Sequence, residues 1–277
     1  MSDTTESEAS ESSDFANRYV FENVFSYNAE QECPSCDAQN AENCAENLKQ
    51  YGVTIIKNAV DLKILQNAKE DYQNILTNSV VPYVAVQPSS LNQGENNKVD
   101  YDHILDNKRW NLIMPYKNNI KKLIDNSWKN TKDIFKENYG ENPTLIEVAA
   151  LITEPISPAQ KWHRDCPYQR FKDNESILST GISLKKQPET HGVLHVQLGN
   201  FESCHPKNKF AKCGTDEGDL VIWDAKVCHR GGEHDGVGPG GFARRETLYY
   251  THMYNMDEIP DCSTFAIDNR AQLKTLQ

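Results

Sequence analysis

The chain has 277 residues, 38% of them hydrophobic and 25% charged, which is enough apolar material for a sizeable core in one enlarged domain. Its formal charge of -11 is concentrated at the front: residues 1 to 50 hold 11 acidic and 2 basic side chains, while the other 227 hold 29 and 27, so the body is nearly neutral and offers no broad basic field to nucleic acid. No apolar run approaches the roughly 20 residues of a membrane span, and the start MSDTTESEASESSD lacks the basic-then-apolar order of a secretion signal, so a cytoplasmic protein with no membrane or nucleic-acid partner is expected.

Residues 1–14 are Ser/Glu/Thr-rich and almost free of apolar side chains, so they cannot offset their ordering entropy by burial and are expected to be a disordered acidic tail. Residues 15–277 then form one domain. Cys33-Pro-Ser-Cys36, with Cys44 nearby, invites a zinc or redox reading, but no second CxxC or His pair follows and no strand-helix-strand pattern surrounds it. Free thiols are the expectation for most of the eight cysteines.

YGVTIIKNAV, at 51–60, is β-branched-rich after a Gly and predicts a strand. Asp61 is placed to cap a following helix in which Leu62, Leu65, Ala68, Tyr72 and Ile75 recur at helical spacing. Residues 86–101 are a polar loop with Pro and Gly punctuation. A second helix, with Ile120, Leu123, Ile124, Trp128 and Ile134 on its apolar faces, stops at Gly140. After this helical part, about 40–140, the character changes. From 143 to about 255 short β-rich runs are spaced by Gly, Pro, Asn and Asp: TLIEVAALIT, AQKWHRD, ILSTGISL, GVLHVQL, GDLVIWD and ETLYYTHMY. Helices first and an antiparallel sandwich or barrel after is an α+β layout.

The chemistry gathers around KWHRDCP, residues 161–167. His163 and Asp165 are two apart, and on a strand both would face one side and reach one atom. A His-x-Asp pair alone is common and is usually a surface hydrogen bond. His229 changes the balance, because EGDLVIWDAKVCHRGG carries it after a Gly-Asp turn and an apolar strand. Two histidines and one carboxylate occupy one face of an octahedral metal and leave three positions open, which suits Fe(II) better than the closed tetrahedral site of structural zinc.

With these residues in place the chain resembles the Fe(II)/2-oxoglutarate-dependent dioxygenases, specifically the phytanoyl-CoA-hydroxylase-like branch with its double-stranded β-helix (jelly-roll or cupin-like) core. YGVTIIKNAVD resembles the family's strand-helix entry, WHRD its first ligand pair, HGVLHVQLGN its Gly-x-Leu strand and GDLVIWDAKVCHRGG its distal-histidine strand. The resemblance implies that His163, Asp165 and His229 hold iron, and that 2-oxoglutarate and O2 are cosubstrates. It further implies that a small molecule is hydroxylated, desaturated or oxidatively cyclised with release of succinate and CO2.

Such enzymes hold the far carboxylate of 2-oxoglutarate with an arginine of the last core strand, a role suited to a planar guanidinium fork. FARRETLYYTHMY offers Arg244 and Arg245, which face opposite sides of a strand. Arg245 is chosen because its same-face neighbour Thr247 is small, whereas the other phase turns Glu246 inward. Arg244 stays open.

Leu198-Gly199-Asn200-Phe201 stands where the family often has a Pro-Gly-Ser-His turn, and GEHDGVGPGG widens the interval from His229 to the arginines; a fatty acyl-CoA is therefore not the expected substrate. A polar or carboxylated specialised metabolite is. Arg109, with Trp110 and His103 beside it, is a candidate partner for a substrate carboxylate, against a surface salt bridge as the ordinary reading. His195 and Tyr249 are further candidates for substrate contact, His195 otherwise being a structural histidine and Trp162 and Trp223 core anchors. Two rivals remain: a cupin-type dioxygenase that uses no 2-oxoglutarate, and a non-catalytic small-molecule-binding barrel. Oligomeric state is not legible.

Overall fold

Apolar side chains recurring at helical and at alternating spacing build two layers on a shared sheet. The computed structural model describes residues 31–78, 109–166, 171, 172, 174–201, 204, 205, 207–236 and 243–256. The expected acidic tail, the 86–101 loop, His103 and the Gly-rich stretch at 237–242 lie outside the described residues.

In chain order the elements are β1 (Gln31–Glu32), β2 (Ser35–Asp37), α1 (Ala41–Tyr51), β3 (Val53–Lys57), α2 (Leu62–Asn78), β4 (Arg109–Ile113), α3 (Asn118–Tyr139) and β5 (Thr144–Thr153). There follow β6 (Ser176–Ser183), β7 (Leu194–Val196), β8 (Ala211–Lys212), β9 (Leu220–Asp224), β10 (His229–Gly231) and β11 (Arg245–Tyr254). Seven strands form a large sheet in the order β2-β3-β9-β6-β11-β5-β4, and four form a small one, β1-β8-β7-β10. The small sheet faces the large one across a core of Val53, Ile55, Leu194, Val196, Val221 and Val227.

One helix starts and another stops where the sequence says they should, while Tyr51, expected to open a strand, ends α1. Asp61 Oδ1 accepts the backbone N–H groups of Lys63 and Ile64 at 2.8 and 3.1 Å, satisfying two of the orphan donors of α2. Gly140 ends α3 at φ 105°. Gly52 ends α1 at φ 74°, and a Cβ there would meet Val227 at 2.8 Å, so backbone angle and space both require glycine. Leu65, Ala68 and Tyr72 of α2 and Ile120, Leu123, Ile124 and Phe135 of α3 pack with Val148, Ala150, Leu248 and Tyr250 on the outer face of the large sheet. That leaves the inner face of the same strands, period two, to look at the small sheet.

Three expectations are corrected. AQKWHRD is not a strand: around His163 the backbone makes only one antiparallel bridge, to His229. Arg109–Ile113, inside the part expected to be helical, is β4, the edge strand of the large sheet. The cysteines are not mostly free: Cys36 pairs with Cys44 and Cys204 with Cys228 as disulfides, with Cys33, Cys166 and Cys213 left as thiols among the described residues. The local CxxC spacing misleads because β2 runs alongside α1 and turns Cys36 toward Cys44, while β1 pairs with β8 and brings Cys33 Sγ to 2.9 Å from Cys213 Sγ.

Candidate metal centre

His163 and His229 face each other across a two-bond backbone bridge, each N–H donating to the other's carbonyl at 2.9 Å. Their ring centroids are 4.6 Å apart. In each histidine Nδ1 lies 2.9 Å from the carbonyl two residues earlier, Lys161 O for His163 and Val227 O for His229. A carbonyl only accepts, so each Nδ1 carries the proton and each Nε2 keeps its lone pair for something else. Asp165 lies between them, Oδ1 at 3.9 Å from His163 Nε2 and Oδ2 at 3.4 Å from His229 Nε2. The three ligand atoms lie within 4.8 Å of one another. Trp223 Nε1, reaching from the large sheet, donates to Asp165 Oδ2 at 3.1 Å and fixes that carboxylate.

The electrostatics of the cluster are those of two bases sharing one acid. Burial, and then the neighbouring His229, bring His163 down to about 4. Burial pushes the Asp165 carboxyl up, but the charge and hydrogen bond of His229 with those of His163 and Trp223 outweigh it and hold Asp165 well below the usual range. His229 is raised: burial alone would lower it, and Asp165 more than compensates. Two lone pairs with fixed tautomers and one carboxylate, converging from one side, fit a divalent cation of intermediate softness with positions left open.

Arg245 starts β11 on the inner face and is 5% exposed. Its Nε donates to Gln187 Oε1 at 3.0 Å and its Nη1 to Gly192 O at 2.5 Å. Thr247, the next inward residue, exchanges hydrogen bonds with Gln187 at 3.0 and 3.2 Å. Among the described residues no carboxylate is within ion-pair distance of Arg245, and burial first and the charge of Arg109 second lower its guanidinium to about 9. Arg244 turns to the other face, where it pairs with Glu246 at 2.6 Å.

The remaining sequence candidates separate. Arg109 is 1% exposed, in one row with Thr153 and Arg245 across β4, β5 and β11; it donates to Thr153 Oγ1 at 3.1 Å, to Pro158 O at 2.9 Å and to Gly232 O. It thus ties the segments on either side of the histidine bridge to the large sheet. Trp110 has the opposite phase, beside Ile152, and faces the helix layer. His195 lies opposite Arg230 on β7, out of phase with His229 and Val196, and stacks on Phe210 with centroids 4.9 Å apart. Tyr249 does face inward, its hydroxyl donating to Glu147 Oε1 at 3.0 Å and accepting from Asn111 Nδ2 at 2.9 Å.

Sequence reasoning missed Gln160, Gln187, Asn111 and Glu147, and gave Trp223 only a packing role. Gln160 Oε1 accepts the Gly231 N–H at 2.7 Å, joining the residues before His163 to those after His229. Glu147 had a signal: it is the only charged residue in the ten-residue run TLIEVAALIT, which is otherwise built for burial.

No protein-family model matches the chain, and no curated protein matches it in sequence. Solved structures do match in shape. SnoN, a non-heme α-ketoglutarate-dependent epimerase from nogalamycin biosynthesis, superposes with a TM-score of 0.58 at 11% identity, over 78% of this chain and 83% of its own. The complex of SnoN with Fe3+, α-ketoglutarate and nogalamycin RO gives the same TM-score at 12% identity over 81% and 91% of the two chains. AviO1 from Streptomyces viridochromogenes Tue57 gives 0.51 at 13% identity over 78% and 96%. At such identities the likeness is one of fold: the chain has the α+β, double-stranded β-helix fold of Fe/α-ketoglutarate-dependent enzymes.

Proposed function

We propose that this protein is an Fe(II)- and 2-oxoglutarate-dependent oxygenase that oxidises a C–H bond of a small specialised metabolite. The carrying observation is the pair of histidines whose Nδ1–H groups are spent on carbonyls two residues back, which turns both Nε2 lone pairs to Asp165. Those three atoms would hold the metal. Fe(II) so held would, together with 2-oxoglutarate and O2, supply the oxidising chemistry that cleaves the C–H bond, with succinate and CO2 released.

The chain's own part is positioning. Trp223 holds Asp165, so the carboxylate need not reorganise when metal binds. Arg245 is a buried cation beside a second one, Arg109, and a carboxylate placed against it relieves both its burial and that repulsion. Gln187 holds one edge of the Arg245 guanidinium and Thr247 offers a hydroxyl next to it. The far carboxylate of 2-oxoglutarate is the anion this arrangement suits. A cupin-type dioxygenase without a keto acid has no use for such a group. SnoN supports the same reading, being an α-ketoglutarate-dependent enzyme from nogalamycin biosynthesis.

The test is an anaerobic titration of purified protein with Fe(II) and then 2-oxoglutarate, read by the visible charge-transfer band of a chelated keto acid. The band should appear, vanish in His163→Ala, and require at least about 100-fold more 2-oxoglutarate in Arg245→Ala, as expected when a buried charge-assisted pair loses one partner. Folded, iron-loaded protein that gives no band would sink the reading.

A further inference from the structure

The segment from Gln31 to Asp37 belongs to both sheets. β1 lies at the edge of the small sheet, paired with β8, and β2 at the edge of the large one, paired with β3. Only Cys33 and Pro34 separate the two strands, so this short segment is a seam where the sheets meet. One half of it is already fastened, because Cys36 is joined to Cys44 of α1. The other half carries Cys33.

In the parallel register of β1 and β8, Gln31 stands opposite Ala211 and Glu32 opposite Lys212, and the next residue on each strand is a cysteine. Cys33 Sγ and Cys213 Sγ are 2.9 Å apart, and closing to the roughly 2.05 Å of a disulfide asks for a movement of less than about 1 Å. Both thiols belong to the core between the sheets, 7% and 2% exposed. Cys213 also reaches the arginine end of the site. Its N–H donates to Leu194 O at 2.8 Å, two residues from the Gly192 carbonyl that accepts from Arg245. On its other side Thr215 exchanges backbone hydrogen bonds with Gln187 at 2.7 and 3.1 Å, and Gln187 holds the Nε edge of the same guanidinium. Burial, then the Cys33 thiol, push Cys213 up, while the charge of Arg245 acts the other way, so the sulfur lies within the field of that guanidinium.

We infer that Cys33 and Cys213 close into a third disulfide, a clasp across the seam that holds β8 and, through Gln187, the Arg245 guanidinium in place for its anion. The clasp stands on the sulfur geometry, and its reach to the cosubstrate rests on the reading of Arg245 as the 2-oxoglutarate anchor. The oxidant is a small disulfide of the glutathione class. Cys33, just past a two-residue edge strand that opens locally at little cost, attacks it: the S–S bond of the oxidant breaks, a Cys33–glutathione bond forms and one glutathione leaves as a thiol. Cys213 then displaces the second glutathione. The two cysteines lose two protons and two electrons, and the oxidant gains both.

Full-length protein treated with oxidised glutathione, quenched in acid, alkylated and digested should yield a peptide carrying Cys33 joined to one carrying Cys213. Both sulfurs found alkylated, Cys33 left capped by glutathione, or Cys213 joined to any other cysteine overturns the inference. Cys33→Ser, its fold checked by circular dichroism, retains the Cys36–Cys44 and Cys204–Cys228 disulfides. In the charge-transfer titration, at equal Fe(II) saturation, it should need several-fold more 2-oxoglutarate than the linked parent, because a fork left freer must be ordered as the anion binds. Equal half-saturation in the two proteins overturns the reach to Arg245. The assays fail separately: a missing band in linked protein strikes at the iron and 2-oxoglutarate assignment, while a band without the linked peptide strikes at the clasp alone.

Discussion

The two sheets divide the labour unevenly. The large one is built from long strands, β5 and β11 pairing over nearly their whole ten-residue lengths, backed by α2 and α3. The small one has strands of two or three residues, and His163 sits outside any of them, on irregular backbone joined by one bridge. The proposed metal ligands all come from this weaker side, and Arg245, Tyr249 and Glu147 from the stronger. Irregular backbone can aim three side chains at one point, which a regular strand, with its fixed alternation, does less well. The consequence is that the small sheet needs outside support, and the large one gives it through Arg109 to Gly232 and through Trp223 to Asp165.

The sharpest way to break that arrangement is at Gly232. A Cβ there would lie 2.2 Å from His195 Nε2, and His195 is 1% exposed and stacked on Phe210, so the ring has nowhere to retreat. Gly232→Ala should cost about 3 kcal/mol, the upper range for forcing volume into a packed site, seen as a lower denaturant midpoint at unchanged slope. The binding of Fe(II) should weaken with it, because Gly232 directly follows β10, the three-residue strand that begins at His229. An alanine variant as stable as the parent would mean that the small sheet yields more easily than its packing suggests.

Trp223→Phe separates support from packing. The ring stays and the hydrogen bond to Asp165 goes. Loss of an outer partner of a metal ligand ordinarily costs 10- to 100-fold in affinity, and a drop of about 10-fold in Fe(II) affinity by competition with a chelator is expected, with the unfolding midpoint little changed. If the midpoint falls and the affinity does not, Trp223 is the core anchor that its sequence context suggests and nothing more.

The same division explains what could be read from the sequence. β5 was legible residue for residue, and α2 down to its Asp61 cap, because periodicity and capping are local. His163, Asp165 and His229 were legible as residue types in their frames. Their convergence was expected as well, but not its means, since it depends on a single bridge between segments 66 residues apart rather than on the strand alternation assumed for AQKWHRD. Arg109 illustrates the limit from the other side. Nothing near it marks an edge strand, so a guanidinium fixed to Thr153, Pro158 and Gly232 was read as free to meet a substrate. The disulfides were hidden for the same reason, each partner being supplied by a neighbouring element.

The smallest predicted effect tests the helix-backed face of the large sheet, which the comparison takes to be the rigid half. His252 is 1% exposed among Trp128, Tyr250 and Tyr254, and burial lowers it from 6.5 to about 3. The folded state therefore keeps this imidazole neutral where the unfolded chain takes up a proton. Its contribution to stability is complete above about pH 6.5 and is lost as the pH falls from there toward about 3. At one pH unit below 6.5 the loss is about 1.4 kcal/mol, one unit's worth of differential proton binding. His252→Leu removes the titrating group and keeps the site apolar, so its stability should fall less steeply than the parent's between pH 6.5 and 5.5, by about 1 kcal/mol in chemical denaturation, because about 0.4 kcal/mol is already lost where the unfolded imidazole is half protonated. The other lowered histidines, His163, His195 and His234, remain in both proteins, and the difference isolates His252. Equal slopes would show that the helix-backed face opens enough to let a proton in, and the large sheet would then be no more rigid than the small one it supports.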